Sequence, residues 1–127
     1  MPRKKANMLT GAELRIMEVI WGRGQATVAE VVEALKGVDA YTTILTLMRI
    51  LKTKGYLSSR KEGRAFVFVP NVDRQTIASK AASQVVSRFF GGSACELVLS
   101  FLREEKLTTE ELEQIKRQIL ESEDDTL

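Results

Sequence analysis

The chain of 127 residues contains no histidine, one cysteine and eight aromatic side chains. Without imidazole there is no Ser-His triad, no Cys-His dyad and almost no zinc enzymology. A lone Cys95 can form neither an internal disulfide nor a metal cluster, and it fits a reducing compartment. It reads as a small apolar residue in a packed helix rather than as a redox sensor. Long apolar runs are also missing: the longest uncharged stretches reach about half of the ~20 residues a membrane span needs. The basic start Met1-Pro2-Arg3-Lys4-Lys5 is not followed by the apolar core of about 7–15 residues that a signal peptide requires. These absences lead us to expect a cytoplasmic protein that does not enter the membrane, binds no metal or cofactor and has no catalytic residues. Surface carboxylate pairs such as Glu104-Glu105 and Glu110-Glu111 read as solvated charge.

The net charge of +2 is unevenly distributed. Residues 1–75 carry 13 Lys/Arg against 7 Asp/Glu, whereas residues 76–127 carry 6 against 10. The first part is therefore +6 and the second −4, which suggests a polyanion-binding module followed by one of another kind.

Capping signals divide the chain. Thr10/Glu13, Thr27/Glu30, Ser93/Glu96 and Thr108/Glu111 fit the S/T-x-x-E capping box, and Asp73 is a fifth candidate N-cap. A helix is expected over about 11–24, its inward stripe being Leu14, Met17, Ile20 and Trp21 with Ile16 beside it. A second, about 28–36, buries Val28, Val31, Val32 and Leu35, with Gly37 as its stop. A third spans about 40–54. Ile44, Leu47, Met48 and Leu51 follow the i, i+3, i+4, i+7 spacing of a core face, so Thr42, Thr46, Arg49 and Thr53 fall opposite. Strand alternation appears over 57–61 and 64–69, with a turn at Glu62-Gly63 and with Arg60, Lys61 and Arg64 crowding the tip. Three further helices are expected at about 74–90, 94–105 and 109–122, followed by a frayed acidic tail, Glu121 to Asp125.

Three helices followed by a hairpin read as a winged helix-turn-helix. The expected fold is mostly α with a small β-hairpin: a winged domain, 1–72, followed by a helical dimerisation domain, 73–127. In such a module the helix before the wing enters the major groove. Thr42, Thr43 and Thr46 can donate, accept or pack on a thymine methyl, and Arg49 can reach a guanine edge or a phosphate. Tyr41 is a further candidate for a phosphate hydrogen bond, unless it is partly buried. Arg60, Lys61 and Arg64 would lie beside the duplex backbone or its minor groove, and Arg3, Lys4 and Lys5 read equally as an arm touching DNA or as an ordinary solvated run. The helical remainder offers three apolar stripes: Ile77, Ala81, Val85 and Phe89; Leu97, Val98, Phe101 and Leu102; and Leu112, Ile115, Ile119 and Leu120. Three short helices have too little material to cover them, so pairing with a second copy is expected. A winged module that binds protein instead of specific DNA is the competing reading.

Several segments resemble the penicillinase-repressor (BlaI/MecI) family. They are Leu9-Thr10-x-x-Glu13-Leu14-x-x-Met17-x-x-Ile20-Trp21, Ala26-Thr27-Val28-x-Glu30-Val31 and Tyr41-Thr42-Thr43-Ile44-x-Thr46-Leu47 with Leu51, Lys54-Gly55 and Leu57. Lys61-Glu62-Gly63-Arg64-Ala65-Phe66-Val67 and Phe89-Phe90-Gly91-Gly92-Ser93 extend the likeness over essentially the whole chain. The resemblance implies a homodimeric repressor on a palindromic double-stranded DNA operator, with the C-terminal helices forming the dimer interface. It further implies induction through a membrane-bound sensor protease, with cleavage at an Asn-Phe bond in the dimerisation domain. The matching position here is Ser100-Phe101, with serine in place of the asparagine. A copper-responsive branch of the family carries a C-terminal cysteine cluster, which this chain lacks.

Overall fold

A computed structural model describes residues 8–125, so the basic run Arg3, Lys4 and Lys5 lies outside the described residues. The elements, in chain order, are α1 (Gly11–Arg23), β1 (Ala26–Thr27), α2 (Val28–Ala34), α3 (Tyr41–Lys54), β2 (Leu57–Glu62), β3 (Ala65–Pro70), α4 (Arg74–Phe89), α5 (Ala94–Arg103) and α6 (Thr109–Asp125). None of the described helices is, by itself, long and apolar enough to cross a membrane.

Local chemistry sets the helix starts. At α1, Glu13 N–H donates to Thr10 Oγ1 at 3.1 Å while Thr10 N–H donates to Glu13 Oε1 at 2.9 Å. The same reciprocal pair, worth about 1 kcal/mol per cap, closes α2 through Thr27 and Glu30 and α6 through Thr108 and Glu111. At α5 the box is half-made: Glu96 N–H donates to Ser93 Oγ at 3.2 Å. Asp73 accepts from Thr76 N–H at 3.3 Å ahead of α4.

Twelve buried apolar side chains, all between Ile16 and Phe68, form the core of the first compact unit, residues 1–81. Its centre is Ile16, Met17 and Ile20 of α1 against Ile44, Met48 and Leu51 of α3, closed by Val31, Leu57 and Phe68. The α1 stripe differs from the expected one. Leu14 is exposed and Trp21 half-buried, while Glu13 occupies the inward position three residues before Ile16. A carboxylate can sit there because Lys54, at the end of α3, places its ammonium 3.0 and 2.9 Å from the two oxygens. Trp21 instead donates its indole N–H to Val72 O at 2.9 Å, under the Arg74 guanidinium 5.3 Å from the ring centroid. Arg74 also pairs with Glu18 of α1.

The sheet has the order β1-β3-β2, all antiparallel. The two-residue β1, absent from the sequence reading, pairs Ala26 with Phe68 and Thr27 with Val67. The hairpin register pairs Glu62 with Ala65, so the turn is Gly63-Arg64 rather than Glu62-Gly63. Gly63, at φ 63°, takes the left-handed first position that this two-residue turn requires. Helix α2 stops at Ala34, and Gly37 falls in the turn beyond it instead of capping it.

The second compact unit, residues 82–127, has a different character. No described residue beyond Phe68 is buried. Helix α6 continues through the acidic segment expected to fray, to Asp125. Helix α5 ends in a Schellman motif, with Lys106 N–H bonded to Phe101 O and Glu105 N–H to Leu102 O. This places Glu105 at φ 56°, the left-handed region usually given to glycine. Cys95 is exposed in the single chain rather than packed.

Candidate nucleic-acid interface

Helix α3 presents three distinct faces. Ile44, Met48 and Leu51 are buried against the core. At roughly 100° per residue, Tyr41, Leu45 and Lys52 form a stripe toward the hairpin, with Arg49 at its border. Beyond Arg49 the expected hydroxyl face follows: Thr42, Thr46 and Thr53, with Thr43 further round, all exposed. Four of the proposed contact residues, Thr42, Thr43, Thr46 and Arg49, thus stand on one exposed side of a well-anchored helix.

The hairpin separates the three expected wing cations. Alternate residues of a strand point to opposite faces, and Lys61 pairs across the sheet with Phe66 while Arg60 pairs with Val67. Arg60 shares its face with Glu62, and its guanidinium is engaged there: Nε donates to Glu62 Oε2 at 2.9 Å and Nη2 to Gln25 Oε1 at 3.1 Å. Arg64 occupies the second position of the turn, and both it and Lys61 are exposed.

Ion pairing within the first unit shows where positive charge is left over. Its carboxylates are taken by Lys54, Arg74, Arg23, Lys36, Arg15 and Arg60, and Asp73 serves as an N-cap. Among the described residues of the first unit, Arg49, Lys52, Lys61, Arg64 and Lys80 form no ion pair with any carboxylate. Lys52 makes a neutral hydrogen bond instead, donating to Ser59 Oγ at 2.8 Å. Four of these five cations stand on α3 and the hairpin, the fifth, Lys80, being on α4. Lys52 and Ser59 were missed in the sequence reading. The Tyr41, Leu45, Arg49, Lys52 spacing was the available signal, but it gains meaning only when a hairpin packs beside it.

The family model described as "Penicillinase repressor" matches residues 9–121. The chain belongs to the penicillinase repressor family. The penicillinase repressor of Bacillus licheniformis is 35% identical over 120 residues, which cover 93% of each chain. The methicillin resistance regulatory protein MecI of Staphylococcus aureus (strain N315) is 25% identical over 114 residues, 88% of this chain and 93% of that one. A solution structure of the DNA binding domain of the repressor BlaI aligns with a TM-score of 0.50 at 38% identity, covering 57% of this chain and 90% of that domain. The winged architecture found in this family member is thus shared with the BlaI domain.

The stripes expected to pair are solvent-facing in the single chain. Val85, Phe89, Phe101, Leu102, Ile115 and Ile119 are exposed, Phe89 by 75% and Phe101 by 41%, while Leu97 and Leu112 are half-buried. Ser100-Phe101 lies inside α5, within its last turn and a half.

Proposed function

We propose that this penicillinase repressor family member is a cytoplasmic DNA-binding transcriptional repressor that binds a palindromic promoter operator as a homodimer. The observation that carries the reading is the charge distribution of the first unit: its carboxylates neutralise cations elsewhere, leaving Arg49, Lys52, Lys61 and Arg64 open beside a threonine-rich helix face. In this reading Thr42, Thr43, Thr46 and Arg49 meet base edges, and Lys61, Arg64 and, through its edge, Arg60 track the backbone. Residues 1–72 form the DNA-binding domain, and the compact unit that contains it runs on to Ala81 in the first half of α4. The rest forms the dimerisation domain through Val85, Phe89, Leu97, Phe101, Leu102, Leu112, Ile115 and Ile119. The uncovered stripes of the second unit support this, since a unit without a buried residue gains its core from a second copy. Cleavage by a sensor protease at Ser100-Phe101 would sever that module. No catalytic role or cofactor is part of the reading.

Selection of bound duplexes from a random pool, followed by footprinting, tests it. Two-fold related half-sites separated by about 10 bp or a multiple are expected. Arg49→Ala and Thr46→Ala should then weaken the selected site by about 1–3 kcal/mol each and random DNA much less. No enrichment, or equal losses on both DNAs, would overturn the assignment.

A further inference from the structure

Between α3 and the hairpin lies a cleft of about 470 Å³. Arg49 and Lys52 line it from the helix, and Ser59, Arg64 and Phe66 from the hairpin. Three cations reach this cleft and none of its lining residues is a carboxylate. Leu45 and Phe68 give it an apolar floor. Charge over a low-dielectric floor is screened less than charge surrounded by water, so the positive field is focused there. Lys52 is also held in place. Its bond to Ser59 Oγ, 2.8 Å long, uses one of three ammonium donors and fastens the helix to the hairpin.

We propose that this cleft seats one phosphate of the operator backbone, held by Lys52 and Arg64, with Ser59 as the positioning residue for Lys52. The inference rests on the DNA-binding reading above and specifies how the helix and the wing are registered on one duplex. When α3 occupies the major groove and the wing lies beyond it, the sugar-phosphate strand bordering that groove must pass between them. The cleft is the passage, and its chemistry suits a phosphodiester: acceptor oxygens and one negative charge facing donors alone. The exposed Tyr41, on the same stripe, can add a hydroxyl donor to the strand. A contact of this kind carries no base information; it fixes the position from which Thr42, Thr46 and Arg49 read.

The test uses the full-length protein and an operator obtained by selection. Lys52→Gln should weaken binding by about tenfold or more, equally on operator and random DNA. The slope of log K against log salt should fall by about 2 for the dimer, one phosphate per protomer. Ser59→Ala, which keeps every charge, should give a smaller loss with the salt slope unchanged. A neutral methylphosphonate, placed one position at a time, should weaken the wild-type complex most at one position per half-site and weaken the Lys52→Gln complex less there, where Arg64 alone remains. Arg64→Gln provides an independent variant with the same expectations, and Trp21 fluorescence checks the fold of each. An unchanged salt slope in both charge variants, a loss confined to the operator, or methylphosphonate losses additive with Lys52→Gln at every position would overturn the seat while DNA binding stood. Failure of the wild-type protein to bind any duplex would overturn the underlying reading instead.

Discussion

Replacing Lys54 with methionine should destabilise the winged domain more than replacing its partner Glu13 with glutamine. The two side chains are unequally placed: Glu13 is 3% exposed and Lys54 is 20% exposed. In Lys54→Met the carboxylate loses an ammonium that touched both oxygens and keeps the Thr10 N–H at 2.9 Å. Deleting one member of a buried pair costs about 3–5 kcal/mol, because the remaining charge is stranded away from water. The surviving hydrogen bond puts the expectation near the lower end, about 3 kcal/mol. Glu13→Gln is gentler. The amide oxygen still accepts from Thr10, and a long lysine chain at the edge of the core can turn its head into solvent. Its cost is expected at about 1–2 kcal/mol.

Urea unfolding at a fixed chain concentration gives the measurement. Trp21, the only tryptophan, reports on this domain because its indole is bonded to Val72 O. With a slope near 1.5 kcal/mol/M, Lys54→Met should lower the midpoint by about 2 M. The double variant Glu13→Gln/Lys54→Met should cost about 2 kcal/mol and so recover part of that loss, a coupling of about 2–3 kcal/mol between the sites. A Lys54→Met variant within about 1 kcal/mol of wild type, or a costlier Glu13→Gln, would refute the reasoning.

Four further expectations concern pH, the α5 terminus and the open faces. Stability should be level near neutrality, where no histidine titrates, and fall in acid. The Thr27 N–H, with Arg23 nearby, holds Glu30 below its usual 4.5, and Thr76 holds Asp73 below its usual 3.8. A lowered carboxyl pKa stabilises above the unfolded value, and that stabilisation is lost as pH falls through the folded one; a urea midpoint unchanged down to about pH 3 would refute it. At the alkaline end the sign reverses: burial, then Glu13, raises the Tyr56 phenol, so stability present below its unfolded value of 10.0 should fade as pH rises through the folded one. Glu105→Gly should stabilise the full chain by about 0.5–1 kcal/mol in thermal unfolding, since it relieves a left-handed glutamate; a lower midpoint would refute the strain. Phe101→Ala should weaken self-association by about tenfold or more in sedimentation, and an intact dimer at the same concentration would remove Phe101 from the interface.

What could be read in the sequence was what is encoded locally. The S/T-x-x-E boxes need only four residues, and three of the four form in full. The faces of α3 follow from helical period alone. The features that escaped depend on distant partners. Glu13 looks like a surface glutamate until Lys54, 41 residues later, comes within 2.9 Å. β1 has no pattern of its own and exists because β3 offers an edge to Ala26 and Thr27. The hairpin turn shifts by one residue because Glu62 remains in β2, where Arg60 two residues earlier pairs with it. The same pair separates Arg60 from Lys61 and Arg64, which the sequence presents as equivalent.

The unequal burial in the two units bears on how repression could be relieved. All twelve buried apolar residues lie between Ile16 and Phe68, so the winged domain holds its core without any residue of α5 or α6. Among its described residues the second unit has no buried one, and in the proposed reading it gains its core by pairing. A cut at Ser100-Phe101 would detach Phe101, Leu102 and all of α6 from the DNA-binding domain, leaving Val85, Phe89 and Leu97 behind. That domain would stay folded, with α3 and the cleft intact, but it would meet DNA as a single half-site binder. Linking two half-site contacts raises affinity by about 10²–10⁴ through effective concentration alone. Loss of the dimer removes that factor while every side chain that touches DNA keeps its place. On this reading induction needs no change in the DNA-binding surface, and the weakness of the second unit as a single chain is what makes the switch work.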